Sequence, residues 1–362
     1  MPRGKLRITY RDWISYAATR ASGSHLPGSM LYSKAIMNKP PEDAERVSAV
    51  VLRAFVERVF AAAGMGGGQA ALLAGILLTN DLRGVFSHGT QQTPAYAGHF
   101  REGRLTPIAE IATVSETPST LVLDGGGGLG YFPCLQAAER LVEKARACGI
   151  AVATTRSHGH FGAAGIYARI PLPHDQIMYV TSGHQLDLQP GRFVMAAAGG
   201  SPMAFGIPCG DEPPFVLDFG AVHDMYLGPE GMKPIVEMLP STVLRSFGLG
   251  CACQALGGLL CGVPIDPARA RRAWPGANQG SLMIAIDIKA LAPVEEFKRE
   301  MDEYSRRVRE MAPLAGLAPT VLPGFLEWER ERQWSVEGIP VGGKHAERLR
   351  EVAEIYGLEC PV

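Results

Sequence analysis

The sequence predicts an α/β protein, a sheet core with helical flanks. Two observations carry this prediction. From about residue 119 onward, short strand patterns alternate with amphipathic helix patterns, the order that lays helices on a sheet. The stretches before it and after about residue 291 read as helix alone. At 362 residues, 46% apolar and 20% charged, the chain is of ordinary globular composition and suits two or three lobes around a large core.

Residues 1–44 carry Arg3, Lys5, Arg7 and Arg11 and then the Ser/Gly/Pro-rich ASGSHLPGSM, so a poorly ordered extension is expected there. Val47, Val50, Val51, Phe55, Val59 and Phe60 recur at helical spacing. Glycines 64, 66, 67 and 68 break that helix, and a second one is expected from about Gln69 to Leu82. Thr120–Asp124 reads as a strand. After a glycine cluster, Leu135–Ala147 reads as a helix with Leu135, Ala138, Leu141, Val142 and Ala145 on one face. Gly149 ends it, and Ile150–Thr155 is the next strand. Further strands are expected at 176–182, 214–219 and 281–287, and helices at 160–170, 240–261, 294–312 and 344–357. The implied division is a helical part over 45–118, a central sheet domain over 119–290, and a C-terminal helical part over 291–362 that packs back on the first.

Charge and composition exclude several classes. A net charge of -1 gives no electrostatic reason to bind nucleic acid. No apolar run of about 20 residues suggests a membrane span, and the N-terminus has no compact apolar signal region. The seven cysteines form no paired framework; Cys251, Cys253 and Cys261 lie in apolar runs, as in a reduced, cytoplasmic protein.

Two turns carry the chemistry. Asp81-Leu82-Arg83-Gly84-Val85-Phe86-Ser87-His88-Gly89 places a serine and a histidine where a helix breaks, and Ser157-His158-Gly159-His160-Phe161-Gly162 is a second histidine turn. Imidazole titrates near neutral pH, so His88 is the natural proton donor. The two turns are expected to face each other across one cleft. Gly125, Gly127 and Gly130 satisfy G-x-G-x-x-G between a strand and a helix, but the acidic residue that would bind a ribose is missing and Arg156 ends the next strand. These glycines therefore read as turn formers. His88, His158 and His160 supply three nitrogens, yet no H-E-x-x-H or clustered carboxylates accompany them, so no metal is expected.

The run D-L-R-G-V-F-S-H-G-T-Q-Q-T-P-A-Y at 81–96 resembles a signature of the type 2 malate/L-lactate dehydrogenase family, which includes ureidoglycolate and sulfolactate dehydrogenases, diketogulonate reductase and piperideine-2-carboxylate reductase. S-H-G-H-F-G-A-A-G-I-Y-A at 157–168, G-G-S-P-M-A-F-G-I-P at 199–208 and P-P-F-V-L-D-F at 213–219 follow in the family's order, and together the matches span about 45 to 357. The resemblance implies a non-Rossmann nicotinamide-dehydrogenase fold with a large mixed sheet and flanking helical parts, usually a homodimer, using NAD or NADP. It implies hydride transfer to or from a small 2-oxo acid, 2-hydroxy acid or cyclic imine. By the same resemblance His88 is the proton donor or acceptor, Ser87 supports it, His160 lies beside nicotinamide and substrate, and Asp218 orients the catalytic histidine. Gln92 and Tyr96 fall at substrate-binding positions, and Thr181, Ser182 and Arg245, with His160, at cofactor-binding ones.

The departures are specific. Gln92 replaces an arginine expected to clamp a carboxylate, and a neutral amide forms no charge-assisted fork. Phe219-Gly220-Ala221-Val222 loses two family hydroxyls after Asp218, Arg245 stands for a lysine, and the connection between them is about two dozen residues short. These changes raise a second class: a descendant that kept the pocket but not the dinucleotide, acting as a lyase, isomerase, cyclase or small-molecule-binding protein.

Overall fold

The computed structural model describes residues 40–222, 225, 227–313 and 320–362; the expected N-terminal extension lies outside them as far as residue 39. The chain opens with β1 (Glu45–Val47), α1 (Ala49–Ala62), α2 (Gly67–Leu82) and α3 (Thr93–Arg101). It continues through β2 (Ala112–Glu116), β3 (Thr120–Asp124), α4 (Tyr131–Cys148), β4 (Ile150–His158) and the short α5 (Gly165–Ala168). Next come β5 (Gln176–His184), β6 (Pro202–Ile207), β7 (Phe215–Gly220), α6 (Gly228–Met238), α7 (Pro240–Gln254) and β8 (Gln279–Asp287). The last elements are α8 (Val294–Glu310), α9 (Phe325–Glu337), β9 (Ile339–Val341) and α10 (Gly343–Tyr356).

Seven strands form one mixed sheet in the order β2-β3-β4-β8-β5-β6-β7. Only β3 and β4 run parallel, and α4 connects them; every other neighbouring pair is antiparallel. The fold is thus α/β with a large mixed sheet, as the alternating pattern predicts. One face of the sheet, with Leu121, Leu123, Ala151, Ala153, Met178, Val180, Met283 and Ala285, packs on Cys134, Ala137, Ala138, Leu141 and Ala145 of α4. The alternation of strand residues makes that face continuous.

A second core is helical. Leu52, Phe55, Val59 and Phe60 of α1 meet Leu73, Ala74 and Leu77 of α2, Tyr96 and Phe100 of α3, and Leu349 and Val352 of α10. β1 pairs with β9 in a two-stranded sheet, which joins residues 45–47 to 339–341. No described helix is long and apolar enough to cross a membrane.

Several elements depart from the sequence reading for identifiable reasons. The helix expected over 160–170 is confined to Gly165–Ala168, because residues 159–164 form an irregular loop. β2 has every residue exposed, so it carries no apolar alternation to read. The helix expected over 240–261 ends as α7 at Gln254 and continues as a π turn over Ala255–Leu259. Gly257 explains the wider turn: a Cβ there would lie 2.5 Å from the Ser182 backbone, so only glycine brings this turn onto β5.

Candidate active site

The end of α2 builds the first turn. Gly84, at φ +78°, reverses the chain, with its N–H on Asp81 O at 2.9 Å and Val85 N–H on Asn80 O at 2.8 Å. This is the paired C-terminal bonding of a Schellman stop. Two 3₁₀ turns follow, Phe86–His88 and Thr90–Gln92. Three side chains fix them from below. Asn80 Nδ2 donates to His88 O at 2.8 Å, Thr90 N–H donates to Asp81 Oδ2 at 3.0 Å, and Gln92 Nε2 donates to Ser87 O at 2.6 Å.

The end of β4 builds the second. Here the glycine cluster has its use. Gly125 N–H bonds Arg156 O, Gly127 N–H bonds Ser157 O, Gly130 N–H bonds His160 O, and Gly159 N–H returns to Gly128 O. Gly126 and Gly128 donate to Asp124 Oδ1 and Gly125 O. The cluster is zipped onto residues 156–160, and its amides are engaged by protein acceptors rather than left to cradle a phosphate. Positive φ at Gly126 and Gly127 permits the path, and a Cβ at Gly127 would run into the Trp274 ring.

The two turns meet. The His88 and His160 rings stack with centroids 5.4 Å apart and planes 29° apart. The two turns come together as expected, but the imidazoles are in stacked contact rather than apart across a cleft. Ser87 Oγ lies 2.9 Å from His88 Nδ1, and Ser87 itself is exposed. Behind His160, Tyr96 Oη lies 2.6 Å from Nδ1, and Tyr131 Oη lies 3.1 Å from Tyr96 Oη. Both tyrosines are buried, and that burial raises the pKa of both phenols, so both keep their hydrogens. A buried hydroxyl hydrogen without an acceptor is costlier than an idle lone pair. The chain therefore runs Tyr131 O–H to Tyr96, and Tyr96 O–H to His160 Nδ1. His160 then carries its proton on Nε2. Burial, and after it the neighbouring His88, pushes the His160 pKa down to about 3, so this ring stays neutral.

His158, two residues earlier, is of a different kind. It is fully buried, with Nε2 2.8 Å from Thr155 Oγ1 and Nδ1 2.8 Å from Gly159 O, and burial lowers its pKa to about 4. Both of its nitrogens are occupied by protein partners.

Comparison with known proteins now has a geometry to meet. A sequence model of malate/L-lactate dehydrogenase matches residues 47–222 and 229–350. The chain belongs to the malate/L-lactate dehydrogenase family. Within that family it is 27% identical to the L-sulfolactate dehydrogenase of Methanocaldococcus jannaschii, over 88% of this chain and 97% of that one. Malate dehydrogenase from Pyrococcus horikoshii superposes with a TM-score of 0.75 at 25% identity, covering 89% and 98% of the two chains. Delta1-piperideine-2-carboxylate reductase from Pseudomonas syringae shares the fold at a TM-score of 0.65 and 20% identity, over 85% and 100%. The family match breaks at 223–228, directly after β7, where the sequence reads as shortened.

The other family positions are distributed as follows. Tyr96 lies beneath His160 instead of facing a substrate, and Gln92 holds the Ser87 carbonyl. Asp218 does not act on an imidazole through its recorded bond: Oδ2 accepts the Gly165 N–H at 2.7 Å. The residue has exposed surface on the edge strand β7, but its carboxylate turns inward. Desolvation there raises its pKa to about 6 against the Gly165 bond and the Arg169 charge. Asp218 thus anchors the loop that follows His160. Thr181 and Ser182 on β5 are buried, with hydroxyls donated to Pro202 O at 2.8 Å and Gly280 O at 2.7 Å, so they brace the sheet. Arg245 is exposed on α7. Sequence reasoning missed Tyr131, Asn80, Asp81 and Thr90. Tyr131 had a signal in its place, the first residue of α4 after the glycine turn.

Proposed function

We propose that the protein is a dinucleotide-dependent oxidoreductase of small 2-oxo or 2-hydroxy acids or cyclic imines, with His88 exchanging the proton. The observation that carries this reading is the stacked His88–His160 pair backed by the Tyr96–Tyr131 chain. Two imidazolium rings this close repel each other, so the pair holds one proton at most. With His160 kept neutral, His88 is the ring of the pair left to exchange a proton. Ser87 steadies the His88 ring at Nδ1, and His160 offers its Nε2–H as a fixed donor to a substrate oxygen or nitrogen. Gln92, engaged with Ser87 O, supplies no charge for a substrate carboxylate, which favours acids that are clamped elsewhere or substrates with a neutral group at that end.

The residues fit a dinucleotide at the end of the sheet where the interior strands β4 and β5 finish. A groove of about 420 Å³ there is lined by Gln185, Asp187, Ile265 and Arg272, and Gln185 Oε1 is buried without a hydrogen-bond partner. Next to it, Arg156, Arg271, Arg272, Asn278 and Gln279 line a second crevice that has no carboxylate. Gln185 and Asp187 would take hydroxyl or amine donors of a nucleoside, and Arg271 and Arg272 its phosphates. When bound, NAD(P)H supplies the hydride.

The exposed apolar residues Met238, Leu244, Leu249 and Leu260 of the α6–α7 region support assembly as a homodimer through that surface. The reading is tested by titrating the protein with NADH and NADPH, following nicotinamide fluorescence, and then assaying a panel of 2-oxo acids and cyclic imines. Saturable binding of one dinucleotide and its oxidation by a panel member are expected; no binding of either at millimolar concentration ends the proposal.

A further inference from the structure

The catalytic turn rests on a buried carboxylate that the mechanism above does not use. Asp81 is completely buried at the end of α2. Its Oδ2 takes both the Thr90 N–H, at 3.0 Å, and the Thr90 hydroxyl, at 2.5 Å. Its Oδ1 has no hydrogen-bond partner and lies against Gly89, where any Cβ would overlap it. A buried carboxylate with one idle oxygen is a costly arrangement for structure alone. Thr90 Oγ1 also lies 2.9 Å from His345 Nε2 on α10, which is 255 positions away in the chain.

The proton count orders this chain. Burial raises the Asp81 pKa to about 7 against the pull of its two Thr90 bonds; above that pH the group is a carboxylate and takes the single hydroxyl hydrogen of Thr90. The Thr90 oxygen is then the acceptor for His345, which donates from Nε2. Burial, followed by the charge of Arg348, lowers the His345 pKa to about 4 and keeps the ring neutral with that one hydrogen. The line His345, Thr90, Asp81 therefore has one direction and passes directly beneath Gly89, the residue after His88. Asn80, the neighbour of Asp81, holds the His88 carbonyl at 2.8 Å. Two consecutive residues of α2 thus grip both sides of the turn.

We propose that Asp81 is a positioning residue for His88, acting through Thr90 and braced by His345, so that the proton donor is held between α2 and α10. The proposal rests on the reading of His88 as the proton-exchanging group. His345 borders a cavity of about 250 Å³ that is also lined by Phe86, Gln91, Asp43 and Lys344, so the far end of the line meets the exterior. The other charged groups packed around the α2 end are Arg83, paired with Glu331 of α9 at 2.8 Å, Arg330 of α9 against Gly84, and Arg53 of α1 beside Gly75.

The test uses the full chain with ¹⁵N-labelled histidine, comparing Thr90→Val, Thr90→Ser and Asp81→Asn with the parent. Thr90→Val keeps the shape and removes only the hydroxyl, so it answers even where Asp81→Asn does not fold. The His88 ring titration is expected to move by about half a pH unit or more in Thr90→Val. Its kcat is expected to fall on the order of 10- to 100-fold with KM little changed, as for a donor displaced from its working position. Thr90→Ser should restore both and keep the parent's melting temperature, whereas Thr90→Val is expected to lose some stability with the hydroxyl. An unmoved His88 titration in Thr90→Val overturns the proposal, and so does equal loss of folding stability in Thr90→Val and Thr90→Ser. Failure of the parent protein to oxidise either dinucleotide would sink the oxidoreductase reading instead; a moved His88 titration would still support the positioning role.

Discussion

The turn at 87–89 and the turn at 125–130 both follow a regular element and do opposite things; the latter is nearly all glycine, whereas Gly89 is the single glycine of the former. In the glycine cluster the backbone donors are consumed by Asp124, Gly125 and residues 156–160, and protein side chains fill the space a Cβ would need. In the 87–89 turn the backbone is gripped from beneath by Asn80, Asp81 and Gln92, which leaves Ser87 exposed and the His88 ring against His160. The glycine cluster uses its polar groups to build structure; the 87–89 turn uses structure to present polar groups. The difference teaches that glycine content says nothing of ligand binding until the destination of each N–H is known.

This comparison is most directly broken at His88. His88→Ala is expected to lower kcat by roughly 10²- to 10⁴-fold, the range of a lost general acid, with an unchanged melting temperature. Full turnover in that variant would remove the proton role. Gly127→Ala should act in the opposite sense, on stability alone. Positive φ and the Trp274 ring together are expected to cost about 3 kcal/mol in chemical denaturation. A variant as stable as the parent would mean that this turn is looser than described.

The two neighbouring histidines sharpen the comparison through pH. His158 has a folded pKa near 4, below its value of about 6.5 in an unfolded chain. Its neutral form is favoured in the fold, so its contribution is full above about pH 6.5 and is lost as pH falls toward 4, by about 3 kcal/mol in all. Urea unfolding of His158→Gln against the parent at pH 7.5 and 4.5 should show the parent losing more stability on acidification. Parallel losses would refute the assignment. Smallest is Tyr96→Phe. It removes the donor to His160 Nδ1 and frees the tautomer, with an expected loss of about 1 kcal/mol in transition-state stabilisation, read as a several-fold drop in kcat and a changed His160 ¹⁵N spectrum.

Much of the architecture was legible in the sequence. Thr120–Asp124 matches its strand at both ends, and the long amphipathic helices fall where their periodicity puts them. Amphipathic spacing records which side of an element is buried, and that is a local property. The exposed strand β2 left no such record. In the site, the meeting of Ser87, His88 and His160 was legible because the family motifs surround both turns. The sorting of His158 from His160 was not. Residues two apart in a strand share a face, but β4 ends at His158 and the loop turns the next side chains elsewhere. The bond made by Asp218 was not legible for a similar reason, since its partner, Gly165, lies 53 positions away and is a backbone amide.

The sequence by itself determined the α/β class and the family, and it singled out the two histidine turns, because periodicity and motif order are written along the chain. Only the tertiary structure decided what each polar group faces. It stacked His88 on His160, directed Tyr96 to Nδ1, closed the glycine cluster and placed His345 behind Thr90. Those relations join residues tens to hundreds of positions apart. They follow from how the two cores pack against the ends of α2 and β4, which no local pattern encodes.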